Sequence, residues 1–277
     1  MTTATGTTDV GTVRIALVGL AAGLLSGMFG VGGGILIVPG LVLVAKMDQR
    51  IAHGTSLAAV LPISVSSFLT YLSHDHVDWP VAMWLAIGAV AGAVLGTKLL
   101  HVLPHTTLAL SFAALLLATA ARLFFQGAGE GRGAVDVGIA VALVTVGLAT
   151  GILAGLLGVG GGVVMVPAMM LALSLPGAIA KGTSVAVIIP TSIMGTIRNR
   201  KKANADLRAA GIVGAGGIAS AVVGGWISAR MDDDLSNVLF ALLLITVAAR
   251  LVHDVRIEMR AAKSIAGGDS STSASGE

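Results

Sequence analysis

The stretch GLAAGLLSGMFGVGGGILIVP, residues 19–39, decides the fold because it occurs twice. Its second copy, GLATGILAGLLGVGGGVVMVP, occupies residues 147–167. In both copies an apolar run with regularly spaced glycines is interrupted by GVGGG and then resumes as a short apolar run that ends at proline. A glycine disfavours a helix by about 1 kcal/mol relative to alanine, so each GVGGG motif predicts a break between two helical segments.

The composition is that of an integral membrane protein. Of the 277 residues, 55% are hydrophobic and 11% are charged, and the mean hydropathy is +0.94. The apolar residues form many blocks separated by short loops, which predicts a polytopic helical bundle, because helices satisfy their own backbone polar groups in lipid. The net charge of +3 comes from bases in loops beside apolar segments, so we expect no nucleic-acid partner.

An offset of 128 residues aligns the two halves of the chain without a gap. Between residues 19 and 62, 21 of 44 positions are identical to their counterparts in the second half. The matches include both GVGGG motifs, a Gly-Thr-Ser triplet at 54–56 and 182–184, and Pro62 with Pro190. The chain therefore predicts an all-α membrane protein built from two repeats.

Each repeat divides into five apolar segments. They lie at about 13–29, 35–45, 55–72, 81–99 and 107–125, and then at 137–157, 163–175, 183–197, 207–227 and 235–253. A helix needs about 20 residues to cross the hydrocarbon core, so the short segment 35–45 predicts a half-helix that begins near the midplane. The predicted divisions are a tail at 1–12, membrane repeats at 13–128 and 137–256, a linker at 129–136, and a largely disordered cytoplasmic tail at 257–277.

Loop charges predict that the two repeats are inverted relative to each other. The loop at 73–80 has no Lys or Arg, whereas residues 198–208 of the second repeat contain five. Because basic loops stay in the cytoplasm, these equivalent loops face opposite sides, as an odd number of segments per repeat requires. With both termini cytoplasmic, the other side holds only Arg122, Arg132, Lys181 and Arg230 of the 17 basic residues.

The two glycine breaks are the first candidate site. Unwound backbone at membrane depth is tolerated where it lines a cavity, and the N–H groups that open the following half-helix attract an anion. Neither copy carries the Lys-Ser/Thr of a nucleotide-binding Walker A loop. A purely structural role, in which the glycines only permit a tight helix crossing, stays open. The candidate substrate-binding residues are Gly30, Gly32, Gly33, Gly34, Gly158, Gly160, Gly161 and Gly162.

The repeated motifs HGTS at 53–56 and KGTS at 181–184 are the second candidate site. Their hydroxyls are predicted to cap the helices that begin there, with or without ligand contact. Lys181 would supply positive charge to an anion, and snorkelling to the interface is the alternative. His53 is a candidate proton carrier or a structural hydrogen-bond partner. The residues concerned are His53, Thr55, Ser56, Lys181, Thr183 and Ser184.

The duplicated signature resembles that of the TauE/SafE sulfite exporter family. The residues that carry the resemblance are GLLSGMFGVGGGILIVPGLV with HGTS downstream, and GILAGLLGVGGGVVMVPAMM with KGTS downstream. The resemblance covers about residues 13–253 and implies a multi-pass permease of the bacterial inner membrane for small sulfur anions, such as sulfite or the organosulfonate sulfoacetate. Related thiosulfate permeases use cysteines in their path, and this chain has none.

The sequence therefore predicts a secondary transporter that exports such an anion by alternating access of two inverted halves. A passive anion channel with the same amide and hydroxyl site is the alternative. We expect no enzyme activity, cofactor or metal, because the sequence shows no acyl-transfer triad, no paired carboxylates deep in the apolar runs and no spacing of metal ligands. The expected partners are the small anion and the lipid bilayer, and a homodimer is left open.

Overall fold

A computed structural model describes residues 6–99, 133, 135–157, 160–201 and 205–272, together with short stretches between 110 and 123. The elements assigned within these residues are helices, and no strand is present among them. The nine helices are α1 (Gly6–Phe29), α2 (Gly34–Val44), α3 (Gln49–Leu72), α4 (Trp79–Leu99), α5 (Val137–Leu157), α6 (Gly162–Ala172), α7 (Gly177–Lys201), α8 (Leu207–Arg230) and α9 (Asp233–Thr272). The prediction of an all-α polytopic bundle is confirmed.

Two of the helices are half the length that a membrane span needs. Within the described residues, the seven helices other than α2 and α6 are long and apolar enough to cross a membrane. Helices α2 and α6 have 11 residues each, so each rises about 16 Å, about half of the hydrocarbon core. They lie where the sequence predicts half-helices, after the two glycine breaks. The predicted segment 107–125 falls largely outside the described residues.

Four of the long helices begin beside an aspartate that accepts a hydrogen bond from one of their first amides. At the start of α5, Asp136 accepts from Ile139 N at 2.7 Å. Asp48 accepts from Arg50 N at 2.9 Å, and Asp206 accepts from Arg208 N at 2.9 Å. At the start of α4, Asp78 accepts from Val81 N at 3.2 Å. These contacts supply partners for amides that have none within the helix.

Helices α3 and α7 begin earlier than the sequence predicts. They start at Gln49 and Gly177, whereas the apolar segments begin at 55 and 183. The polar residues that precede the apolar run continue the same helix, and in α3 Asp48 caps it. Both Gly-Thr-Ser triplets therefore lie inside helices, and the prediction that their hydroxyls cap their own helices is wrong.

The last helix ends later than the sequence predicts. The apolar segment ends at 253, but α9 continues to Thr272. Residues 254–263, DVRIEMRAAK, are mostly good helix formers, so the helix continues into a polar region that the sequence predicts to be disordered. The division of the chain into tails, repeats and linker stays a prediction.

Equivalent helices of the two repeats make equivalent contacts. Helix α1 packs along α8, and α5, the counterpart of α1 under the offset of 128, packs along α4, the counterpart of α8. Helices α3 and α7 are themselves counterparts and pack against each other. Each contact between the halves thus has an equivalent contact in which the two repeats trade places. This is the property of a pseudo-two-fold arrangement.

Glycines allow the two outer helix pairs to touch backbone to backbone. A β-carbon added at Gly92 of α4 would lie 2.9 Å from the backbone nitrogen of Ile152 in α5. One added at Gly27 of α1 would lie 2.6 Å from the backbone nitrogen of Gly225 in α8. The glycine stripes are therefore packing faces, which is their expected role where lipid gives no hydrophobic reward for helix association.

The central helices α3 and α7 run in opposite directions. The end of α3 meets the start of α7, because a β-carbon at Gly182 would lie 3.0 Å from Tyr71 Cβ. The first half of α3 meets the second half of α7, because a β-carbon at Gly195 would lie 2.9 Å from Leu57 Cδ1. Two helices that occupy the same place in the two repeats are antiparallel, and this supports the inverted repeat that we propose below.

We expect Gly92→Ala to destabilise the protein. The added methyl group would overpack the α4–α5 contact, and overpacking costs about 1–3 kcal/mol. The control is Gly211→Ala in α8, where a β-carbon meets nothing within 4 Å and alanine favours the helix. Thermal unfolding in detergent should show a lower midpoint for Gly92→Ala and an equal or higher one for Gly211→Ala. Equal midpoints for the two variants would contradict the assignment of a packing face.

Candidate functional site

Both breaks use backbone conformations that favour glycine. In the first break the φ angles are 67° at Gly30, 77° at Gly32 and 73° at Gly33. In the second they are 81° at Gly160 and 82° at Gly161. A side chain is strained in this left-handed region, so the chain can reverse here only because these residues lack a β-carbon. Gly158, which the sequence also places in the site, lies outside the described residues.

Each break ends at a helix N-terminus that has no side-chain cap. Gly33 and Gly161 are the N-cap residues of α2 and α6, and neither start receives a side-chain hydrogen bond. Gly34 and Gly162, the first helical residues, are buried. Within the described part of the chain, the amides of residues 31–33 donate no hydrogen bond. Buried helix starts of this kind present free N–H donors and the positive end of the helix dipole.

The breaks lie near the middle of the neighbouring long helices. A β-carbon at Gly33 would lie 2.6 Å from the carbonyl oxygen of Ala22, which is close to the centre of the apolar span 11–29 of α1. In the second repeat, one at Gly161 would lie 2.9 Å from Thr150 Cγ2, close to the centre of α5. Both half-helices therefore begin near mid-depth, as the sequence predicts.

The structure brings the two breaks into contact. A β-carbon added at Gly162 would lie 2.8 Å from both the carbonyl oxygen of Gly30 and the Cα of Val31. The side chains of Val60 and Ile188 separate the remaining glycines. A β-carbon at Gly32 would lie 3.1 Å from Ile188 Cδ1, and one at Gly160 would lie 3.3 Å from Val60 Cγ1. Two helix N-termini, one from each repeat, thus converge on the same central residues.

Ser184 lies on the face of α7 whose neighbouring residues contact the first break. It lies on α7 between Lys181 and Ile188, three and four residues away, so the three residues share one helical face. A β-carbon at Gly30 would lie 2.7 Å from Lys181 Cα, and Ile188 contacts Gly32, so both neighbours touch the break. Ser184 is fully buried, and its hydroxyl has no hydrogen-bond partner in the structure. Burying such a group costs about 1–3 kcal/mol, which marks it as a group available to a ligand.

Ser56 is the counterpart of Ser184 in the first repeat. It is fully buried on α3 between His53, which is half-buried, and Val60, which contacts Gly160 of the second break. Under the offset of 128, Ser56 thus has the same place on α3 as Ser184 has on α7.

The ammonium group of Lys181 is buried beside the first break. Its Nζ donates a hydrogen bond to Ser236 Oγ of α9 at 2.6 Å and lies 5.7 Å from the ring centroids of both Phe29 and Phe240. Phe29 directly precedes Gly30, so the positive charge sits at the entrance to the break. Lys181 is 2% exposed, and the alternative that it snorkels to the interface is wrong.

The hydroxyls of Thr55 and Thr183 accept hydrogen bonds from the opposite repeat. The backbone nitrogen of Asp206 donates to Thr55 Oγ1 at 2.9 Å. The backbone nitrogen of Asp78 donates to Thr183 Oγ1, also at 2.9 Å. Each Thr thus caps the start of a helix in the opposite repeat. The two hydrogen bonds are equivalent under the offset of 128. A contact between these hydroxyls and a substrate stays a prediction.

Two buried serines were not predicted from the sequence. Ser64 and Ser192 are fully buried, have hydroxyls without a hydrogen-bond partner, and are counterparts under the offset of 128. Each lies two residues after a proline that the repeats share. The repeat contains this signal, but a Ser or Thr in an apolar helix usually bonds a carbonyl of the preceding turn, as Thr150 does with Val146 O at 2.6 Å.

The family follows from a comparison with known proteins. The family model described as sulfite exporter TauE/SafE matches residues 15–170 and residues 143–274. The chain belongs to the TauE/SafE family. The two matches include both breaks and both Gly-Thr-Ser triplets, so every element of the candidate site lies within the TauE/SafE region.

Relatives of the chain are named as membrane transporters. The probable membrane transporter protein YunE of Bacillus subtilis is 28% identical over 271 residues, which cover 87% of this chain and 97% of the relative. A probable membrane transporter protein of Xylella fastidiosa is 41% identical over 87 residues, 31% of this chain and 33% of the relative. No solved structure matches the chain. The TauE/SafE assignment and the seven apolar spans identify a multi-pass membrane transporter.

We expect Thr55→Val and Thr183→Val to lower stability by similar amounts. Each change leaves a helix-start amide without its acceptor, which costs about 1 kcal/mol. The control is Thr246→Val, because Thr246 is exposed and donates only to Leu242 O of its own helix. Thermal unfolding in detergent should give lower midpoints for the first two variants only. If Thr246→Val lowered the unfolding midpoint as much as the other two variants do, the hydrogen bonds between the repeats would make no special contribution to stability.

Proposed function

We propose that the protein exports a small sulfur-containing anion, sulfite or an organosulfonate such as sulfoacetate, across the bacterial inner membrane. The substrate would bind beside the two breaks, and the two inverted halves would expose it alternately to either side. This proposal is supported by the transporter family and by the geometry of the breaks. In this function no residue makes or breaks a covalent bond, so we propose no enzyme activity.

The observation that carries the proposal is that two buried, uncapped helix N-termini follow two breaks that contact each other. Backbone donors without partners are rare inside proteins and rarer at membrane depth, where each costs several kcal/mol. An oxyanion that accepts hydrogen bonds from these amides would satisfy them and would also interact with both helix dipoles. Half-helices that point their N-termini at an anionic substrate near the midplane occur in other secondary transporters.

The buried polar residues also favour an anion. In the described part of the chain they are Ser, Thr, one Asn and one Lys, and no Asp or Glu is among them. A cation carrier would need acidic groups at such positions. Hydroxyls and the ammonium group of Lys181 are donors, and they supplement the amides with charge of the correct sign.

Alternating access is supported by the antiparallel course of α3 and α7. Counterpart helices that run in opposite directions are what an inverted repeat produces. Both termini would then lie in the cytoplasm, with the basic residues 198–208 on the same side. A conformational change that exchanges the roles of the two halves would turn one face of the site inward and the other outward.

We expect the detergent-solubilised protein to be stabilised by its substrate in a panel of sulfite, sulfate, thiosulfate, taurine, sulfoacetate and isethionate. Ligand binding stabilises a protein by RT ln(1 + [L]/Kd), so an anion at 100 times its Kd adds about 2.7 kcal/mol. The strongest shift in unfolding midpoint should come from sulfite or a sulfonate. A panel in which no sulfur anion exceeds chloride at equal ionic strength would contradict the proposed substrate class.

Counterflow in proteoliposomes then separates a transporter from a passive channel with the same site. A carrier takes up labelled anion against its gradient when it exchanges with unlabelled anion inside, whereas an open pore does not. We expect a transient overshoot of labelled anion.

Ser184→Ala should weaken anion binding while it stabilises the protein without ligand. The change removes a buried hydroxyl that has no partner, and it should raise the unfolding midpoint by up to the equivalent of about 1–3 kcal/mol. It also removes one donor to the anion, so the Kd should rise by about tenfold or more.

The matched control is Ser66→Ala. Ser66 is buried on α3 and donates to Ile218 O at 2.9 Å. This variant should be less stable than the wild type and should bind the anion with unchanged Kd. An unchanged Kd in Ser184→Ala would remove Ser184 from the site.

A further inference from the structure

The two side chains between the breaks are aliphatic, although the site around them is rich in donors. Val60 of α3 and Ile188 of α7 are counterparts under the offset of 128, and both are fully buried. Each contacts Gly32 of the first break and Gly160 of the second. The pair therefore packs against both breaks at the centre of the protein.

Hydroxyls flank the aliphatic pair on both helices. On α3 the order is Ser56, Val60, Ser64, and on α7 it is Ser184, Ile188, Ser192, and successive members are four positions apart. Residues four apart lie on one helical face, so each helix presents hydroxyl, aliphatic and hydroxyl groups in succession. All four serines are fully buried.

The antiparallel register places two hydroxyls on each side of the crossing between α3 and α7. Tyr71 lies beside Gly182, and Leu57 lies beside Gly195, so the two helices pair in opposite directions and cross near Pro62 and Pro190. In this register Ser64 is level with Ile188, and Ser184 lies about one helical turn further toward the start of α7. Ser192 is level with Val60, and Ser56 lies about one turn further toward the start of α3.

Three of these hydroxyls have no partner in the structure. The side-chain oxygens of Ser64, Ser184 and Ser192 are buried without a hydrogen bond. Each side of the crossing therefore contains at least one donor that is available to a ligand, and the starts of α2 and α6 are both uncapped. An unpaired hydroxyl beside a free helix N-terminus has the donor chemistry that an oxyanion requires.

We propose that Val60 and Ile188 form the central gate of the transport path, between two half-sites for the oxyanion. Ser64 and Ser184 with the start of α2 form one half-site, and Ser56 and Ser192 with the start of α6 form the other. The inference rests on the proposed function and extends it, because it names the barrier that keeps the path closed. A hydrophobic constriction excludes water, and an ion must shed its hydration to cross it, so the pair blocks passage until the halves move.

The test removes the gate without removing the half-sites. Proteoliposomes that contain the double variant Val60→Ala/Ile188→Ala should leak chloride about tenfold faster than the wild type in the absence of sulfur anions, because the constriction is wider. The same variant should lose the counterflow overshoot of the preferred anion. The matched control is Ile63→Ala/Val187→Ala, which makes the same two changes at fully buried positions that are not among the nearest neighbours of the break glycines. It should keep the overshoot and should not leak.

A milder variant keeps the proposal testable if the double variant does not fold. Val60→Thr preserves the side-chain volume and places a hydroxyl in the constriction, so it should raise chloride leak while the anion-induced shift in unfolding midpoint is retained. Tight vesicles with full counterflow in both gate variants would overturn the gate and leave the proposed function intact. A wild-type protein that neither binds nor exchanges any sulfur anion would instead overturn the proposed function itself.

Discussion

Backbone hydrogen bonding in lipid is the constraint on which this structure depends. A chain that stops being helical at membrane depth exposes amides and carbonyls that lipid cannot satisfy. This protein breaks its helices twice at that depth, and it buries the described parts of the breaks, residues 30–33 and 160–161, against each other and against α3 and α7. The long helices therefore serve to enclose the breaks, and the breaks place two helix N-termini inside the protein.

The enclosure is built from contacts that exchange between the two repeats. Glycine faces pair α1 with α8 and α4 with α5, and Thr55 and Thr183 bind helix-start amides of the opposite repeat. Helices of each repeat thus find their packing and hydrogen-bond partners in the other repeat. Rigid helix pairs joined across a central antiparallel pair are also suited to move as units, which alternating access requires.

The two halves nevertheless differ in their chemistry. Lys181 is the counterpart of the half-buried His53 of the first repeat. Ser236 and two Phe rings surround its ammonium group. Only the side of the first break therefore carries a lysine ammonium at this position. Buried hydroxyls without partners, by contrast, occur in both repeats at Ser64 and Ser192. Proteins tend to depart from full hydrogen bonding at functional sites, so these serines indicate positions where a loss of folding stability is tolerated for ligand binding.

The sequence by itself determined the helical class, the duplication, the half-helices and the positions of the glycine breaks. These features depend on local composition and spacing, because apolar length, glycine runs and identical motifs act on the chain where they occur. It also pointed to Ser184 and Lys181, although it assigned the hydroxyls to the wrong helix starts. Only the tertiary structure decided that Thr55 and Thr183 cap the opposite repeat, that Ser64 and Ser192 lack partners, and that Val60 and Ile188 lie between the breaks. Those facts depend on which residues far apart in the chain become neighbours, and a helical pattern fixes a face but not the partner that covers it.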